Sequence, residues 1–205
     1  TFLAVSIALF ALSLGGVLTQ AFSWQIPLDE IFSRLAFISV IFSFASFLIF
    51  ALMSLSSPNV VSDIFVMFFP FFIAGVFLAT IYNIFTTFSN VVYFADLFGA
   101  AIGALAVVFL LNFVGAVRGV LYVGAFISIA SLFFALCSKR KTATLVAIVG
   151  IVLMAFFVQY TTRASLLDIP PMGGQGKELE GILSDQSLGA RIVDSRWSAF
   201  GRTDL

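Results

Sequence analysis

Residues 93–114 read YFADLFGAAIGALAVVFLLNFV, an apolar run in which Asp96 is the single charged residue. A helix needs about 20 mostly apolar residues to cross the hydrocarbon core of a bilayer, so this run predicts a membrane-spanning helix. Ala95, Gly99 and Gly103 recur every four residues and would form a smooth stripe along that helix, where a second backbone can approach closely. An ionised Asp at mid-bilayer depth costs about 2.5 to 3.5 kcal/mol, so Asp96 requires a specific explanation.

Five other stretches share this length and apolar character. They cover Phe2–Ala21, Leu35–Leu55, Ile64–Asn83, Gly119–Leu136 and Ala143–Tyr160. The connections, the first of which is predicted to cover Trp24–Arg34, are short and polar. Short connections predict antiparallel helices that are consecutive neighbours in an up-and-down bundle. The predicted fold class is therefore an all-α membrane protein, with a transmembrane helical domain of about six spans in residues 1–160.

The composition supports a membrane protein and excludes several kinds of site. The 205 residues are 61% hydrophobic and 10% charged, against about 25% charged in an average soluble domain. The formal net charge of zero argues against nucleic acid as a partner, which leaves the lipid bilayer. The sequence has no His and a single Cys, which excludes disulfides, Cys/His zinc sites and Ser-His-Asp triads within this chain. Cys137 is expected to be a small packing residue.

The chain becomes polar at about residue 161, and most of its acidic residues follow that point. We interpret residues 161–205 as a linker followed by the truncated beginning of an α/β soluble domain, and the whole sequence as an internal fragment. Pro170–Gly174 predicts a turn, and Lys177–Leu183 a short amphipathic helix. Ala190–Val193 and Gly201–Leu205 predict strands. Residues 195–205 read SRWSAFGRTDL and are either a half-exposed strand or an edge that contacts an anion or substrate.

Two explanations of the helix from Tyr93 remain open. In the structural one, Ser89 or Asn90 caps the helix, Asp96 lies in its first turn where the helix dipole favours it, and the glycines only pack helices. In the functional one, Asp96 belongs to an ion or proton site of a transporter. Pro70, which predicts a kink in the third span, is compatible with both.

Three segments carry a resemblance to a known family. Residues 70–75, PFFIAG, resemble a Pro-Phe-x-x-x-Gly helix. Residues 93–103 are very similar to a Tyr-x-x-Asp-Leu-x-Gly-Ala-x-x-Gly signature, which Tyr93, Asp96, Gly99 and Gly103 match. The third segment resembles the start of a soluble synthase domain. It comprises residues 176–179, GKEL, the pair at 197–198 and the triplet at 202–204. The family is that of membrane-anchored polyamine aminopropyltransferase-like proteins, the multi-span relatives of spermidine and spermine synthases.

The resemblance implies a helical membrane domain, a small β-rich segment and then a Rossmann-like domain. In the soluble relatives that last domain binds decarboxylated S-adenosylmethionine and transfers its aminopropyl group to a diamine, which an acidic residue deprotonates. It also implies that the catalytic core follows Leu205, so no catalytic, cofactor-binding or metal-ligating residue is assigned here. The candidate residues for the start of the soluble domain are Trp197, Ser198, Arg202 and Asp204.

The expected function is thus the membrane-anchoring domain of a spermidine synthase-like protein. A polyamine or diamine is the expected small-molecule partner, and a half-buried carboxylate at Asp96 would stabilise such a cation. The alternative is a transporter or permease-like bundle with a soluble appendage, which Pro70, the small-residue stripe and Asp96 would suit.

The expected location is the cytoplasmic (inner) membrane of a bacterium. Arg34 and Lys139–Lys141 fall on one side of the predicted spans, and the positive-inside rule would make that side cytoplasmic and the tail external. The family chemistry favours a cytoplasmic tail instead, because the adenosyl substrate is made in the cytoplasm.

Overall fold

The computed structural model describes residues 2–22, 28–55, 60–164, 182–183, 189–198 and 201–204. The helices are α1 (Phe2–Ala21), α2 (Leu28–Leu55), α3 (Val60–Ile84), α4 (Ser89–Phe113), α5 (Ala116–Ser138) and α6 (Lys141–Ala164), with a short 3-10 helix at Thr86–Phe88, and the strands are β1 (Ser195–Ser198) and β2 (Gly201–Asp204). All six helices are long and apolar enough to cross a membrane. The prediction of six such helices is confirmed.

Five of the six helices begin earlier than predicted, α2 by seven residues and α3 and α4 by four each. α2 begins at Leu28, so the second half of the predicted connection Trp24–Arg34 is helical. Arg34 Nη2 lies 4.0 Å from Glu30 Oε2, one helical turn earlier. Oppositely charged side chains four residues apart stabilise a solvent-exposed helix. The apolar pattern predicts the lipid-compatible part of each helix. It does not predict the polar residues that extend α2 at its start.

α4 begins directly after the 3-10 turn, and neither predicted cap is used. Its N-cap is Phe88, which makes no side-chain capping bond, so the prediction that Ser89 or Asn90 caps the helix is wrong. Asp96 lies seven residues after Ser89, about 10 Å along the helix axis. It is therefore outside the first turn, where the helix dipole would favour it.

α1 packs against α3 through two glycines. A Cβ on Gly15 would overlap the backbone of Phe72, and a Cβ on Gly75 would overlap the backbone of Leu12. The helices thus approach so closely that only glycine fits at both points. The short connections set helix direction correctly, but α1 has α3 rather than α2 as its main neighbour, so the predicted order of consecutive neighbours is wrong.

α2 packs against both α5 and α6, and its contact with α5 runs through small polar residues. Ser43 Oγ donates to the Gly124 carbonyl oxygen at 2.7 Å and lies 2.7 Å from Ser128 Oγ. The Phe47 and Phe157 rings stack with centroids 4.3 Å apart where α2 meets α6. Within the described residues every buried side-chain nitrogen or oxygen has a hydrogen-bond partner. Hydrogen bonds and close backbone contact therefore hold the centre of the bundle together.

The start of α2, the turn between α5 and α6 and the end of α3 lie at the same end of the bundle. Arg140 Nη2, in the turn between α5 and α6, lies 2.9 Å from Glu30 Oε1 near the start of α2. The Phe32 and Phe85 rings, whose centroids are 6.4 Å apart, bring the end of α3 to the same place. α4 starts there too, because only the 3-10 turn separates it from α3.

The described residues of the tail form a hairpin. β1 and β2 pair antiparallel, with Ser195 opposite Asp204 and Ser198 opposite Gly201. The strand predicted from Gly201 is confirmed as far as Asp204, whereas Ala190–Val193 is not a strand. The register pairs Ser195–Ser198 with Gly201–Asp204, so Ala190–Val193 precedes the paired residues.

The other predicted tail elements stay predictions. The turn at residues 170–174 and most of the helix predicted over Lys177–Leu183 lie outside the described residues, although 182–183 are helical. The α/β character of the soluble segment is likewise untested by the hairpin, which packs against α4.

Candidate functional site

A tyrosine and an aspartate meet where α3 ends and α4 begins. The Tyr82 hydroxyl donates to Asp96 Oδ2 at 3.5 Å, which is long for a hydrogen bond. Tyr82 lies in the last turn of α3 and Asp96 in the second turn of α4. The contact forms because the chain reverses within the 3-10 turn and lays the start of α4 beside the end of α3.

Asp96 is exposed on the outside of the bundle, which corrects the expectation of a half-buried carboxylate. Tyr93, which is also exposed, precedes Asp96 by three residues, so both lie on neighbouring positions of one helical face. A carboxylate accepts hydrogen bonds from an ammonium group, and the face of a tyrosine ring attracts cations. Tyr82, Tyr93 and Asp96, here called the α4 carboxylate site, could therefore bind an organic cation.

The glycine stripe of α4 packs against no part of the described chain. A Cβ on Gly99 or Gly103 would have nothing within 4 Å. Within the described residues α4 buries no side chain, and Phe94 and Phe109 are 67% and 63% exposed. These glycines therefore meet no other helix among the described residues, because α4 lies along the outside of the bundle, and their predicted role in packing helices stays a prediction.

The hairpin arranges the second predicted motif by register. Trp197 pairs with Arg202 across the strands, and Ser198 pairs with Gly201. Asp204 lies at the other end of the hairpin, opposite Ser195. The motif is thus split between two strands, and its proposed role at the start of a soluble domain stays a prediction.

Sequence reasoning missed two partners that the fold supplies. Tyr82 contacts Asp96 only because of the 3-10 turn, and its one sequence signal is its place near a span end, where tyrosines are common. Glu30 pairs with Arg140 across 110 positions of sequence, and no local spacing predicts that. Cys137 was expected to pack inside the bundle, but the thiol is exposed.

The described residues contain no group of three or more His, Cys, Asp or Glu side chains able to hold a metal ion. Comparison with protein-family models, curated proteins and solved structures finds no match to this chain. The chemistry of the site must therefore be argued from its own residues.

The two pairs of glycines should respond oppositely to the same substitution. Gly15→Ala and Gly75→Ala should destabilise the bundle by about 1–3 kcal/mol, because the new methyl group overlaps the facing backbone. Gly99→Ala and Gly103→Ala should leave stability unchanged or raise it by up to about 1 kcal/mol, because alanine is the better helix former. Thermal unfolding of the purified protein in detergent measures the difference. Equal losses at Gly75 and Gly99 would contradict the exposed position of α4.

Proposed function

We propose that this chain is the membrane-anchoring domain of an aminopropyltransferase-like protein, with its six long helices crossing a bilayer. One observation carries the membrane part: large apolar side chains cover the outside while serines and glycines line the inside. Leu105, Phe126 and Phe133 are 67–69% exposed, and Ser43 and Ser128 are fully buried. An apolar surface of this extent is unfavourable in water and favourable in lipid.

The transferase part rests on the sequence resemblance, chiefly at residues 93–103, and on the hairpin that follows the last helix. In this proposal decarboxylated S-adenosylmethionine is the substrate of the parent protein. The attacking amine of the diamine forms a C–N bond and loses a proton, while the C–S bond to the sulfonium breaks and a thioether leaves. The helices hold that reaction at the membrane of a bacterial cell, with the tail in the cytoplasm.

The α4 carboxylate site would bind a diamine or polyamine. Asp96 lies about 10 Å from the start of α4, close to where the hydrocarbon core of a bilayer would begin. A carboxylate at that depth is unfavourable, and a bound ammonium group would offset part of the cost. The tyrosines add a hydrogen-bond donor and an aromatic face.

The transporter alternative is disfavoured by the position of the same carboxylate. Ionisable groups in transporters face the interior of the bundle or a water-filled cavity, whereas Asp96 lies on the outer face of α4. Pro70 lies within α3, which continues through it to Ile84. Neither observation favours a pathway through the bundle.

Membrane insertion is tested by extracting membranes of expressing cells with alkaline carbonate, which releases peripheral proteins. We expect the chain to stay in the membrane pellet and to be released by detergent, because its outer surface is apolar. Immunoblotting of the two fractions measures the distribution. Recovery of the protein in the carbonate supernatant would contradict the proposal.

Amine binding is tested by calorimetric titration of the detergent-purified chain with spermidine. We expect saturable binding that Asp96→Asn weakens by about tenfold or more, since a charge-assisted hydrogen bond is worth about 1.5–3 kcal/mol. Tyr82→Phe should have a smaller effect.

The matched control for this titration is Asp194→Asn. It removes a carboxylate from the exposed pair with Arg196 and should leave spermidine affinity unchanged. An equal loss of affinity in both Asp variants, or the absence of saturable binding by the unmodified chain, would contradict an amine site at Asp96.

The transferase assignment is tested on the full-length protein that contains this chain, purified in detergent. Incubation with decarboxylated S-adenosylmethionine and a diamine should yield the aminopropylated diamine and a thioether nucleoside in equal amounts, both quantified by mass spectrometry. Omitting the diamine should abolish both products. Absence of both products in the complete mixture would contradict the transferase part while leaving the membrane part intact.

A further inference from the structure

Basic side chains gather at one end of the bundle, here called the basic end and defined by Arg34, Lys139, Arg140 and Lys141. Lys139 ends α5 in the left-handed conformation, with φ 53°, and Lys141 is the first residue of α6. Both lysines and both arginines are exposed. The tight turn thus places three consecutive cations between the end of α5 and the start of α6.

A salt bridge fixes this turn against α2. Arg140 Nη2 lies 2.9 Å from Glu30 Oε1, and Arg34 Nη2 lies 4.0 Å from Glu30 Oε2. The single carboxylate of Glu30 is therefore shared by two guanidinium groups. Among the described side chains, four cations and the one carboxylate of Glu30 leave this end with a net charge of about +3.

We propose that the basic end binds the headgroups of anionic phospholipids. The inference rests on the proposed membrane insertion, because insertion would place the ends of α5 and α6 at headgroup level. Positively charged clusters next to a spanning helix attract anionic lipids by about 1 kcal/mol per Lys or Arg. The compact ammonium groups of Lys139 and Lys141 suit a phosphate, and the ion-paired Arg140 holds the turn that presents them.

Cys137 is a labelling site close to the basic end. Cys137 is the single cysteine, is exposed and precedes Lys139 by two residues. A donor fluorophore on its thiol would report on lipids around the basic end. Cys137→Ser combined with Phe113→Cys moves the label to the exposed last residue of α4, at the opposite end of the bundle.

The test reconstitutes the labelled chain in nanodiscs of phosphatidylcholine with a minor fraction of phosphatidylglycerol, and compares energy transfer to acceptor-labelled versions of each lipid. We expect the Cys137 label to show preferential transfer to phosphatidylglycerol, which declines when NaCl is raised to screen the charges. The label at residue 113 should show no such preference.

Lys139→Gln combined with Lys141→Gln should lower the relative affinity for phosphatidylglycerol by about tenfold or more. Arg118→Gln combined with Arg191→Gln removes the same charge from exposed positions elsewhere and should leave the preference unchanged. Equal transfer to both lipids at Cys137, or a preference that survives both the lysine substitutions and high salt, would overturn the inference. Carbonate extraction separates this failure from a failure of membrane insertion.

Discussion

Close approach of helix backbones is the constraint on which the rest of the structure depends. Between apolar helices in lipid the hydrophobic effect gives little drive for association, so contact must come from small residues and hydrogen bonds. Gly15 and Gly75 provide that contact between α1 and α3. Ser43 and Ser128 provide it between α2 and α5. The large apolar side chains are consequently free to cover the outside.

The position of α4 follows from the same constraint. Its glycines have no backbone opposite them within the described chain, and it touches its helical neighbours only lightly. Asp96 therefore lies at the surface beside Tyr82, not inside a polar pathway. This placement changes the chemistry of the carboxylate: an exposed acid near a helix start suits capture of a cation from the membrane surface, whereas relay of protons requires a chain of titratable groups across the bundle.

The sequence predicts the existence of all six helices because apolar length is a local property. It does not predict where α2 begins, since Asp29, Glu30 and Arg34 interrupt the apolar pattern before Leu35. Helix adjacency is equally hidden, because Gly75 and Gly99 are the same residue in similar apolar surroundings, and only the fold decides which one meets a backbone. The candidate site is half predictable: Asp96 stands out by its charge, while Tyr82 reaches it through a 3-10 turn that no spacing rule marks.

The two proposed binding sites at one end of the bundle would attract opposite kinds of ligand, because they carry opposite charges on different helices. The basic end presents its cations at the turn between α5 and α6, and Glu30 is occupied there by Arg140 and Arg34. Asp96 lies instead on α4 with a neutral phenol as its partner, so its negative charge is not cancelled by a neighbouring cation in that contact. An amine is repelled by a surface of net positive charge and attracted by a carboxylate. If both proposals hold, charge would direct anionic phospholipid headgroups to the turn between α5 and α6 and amines to Asp96.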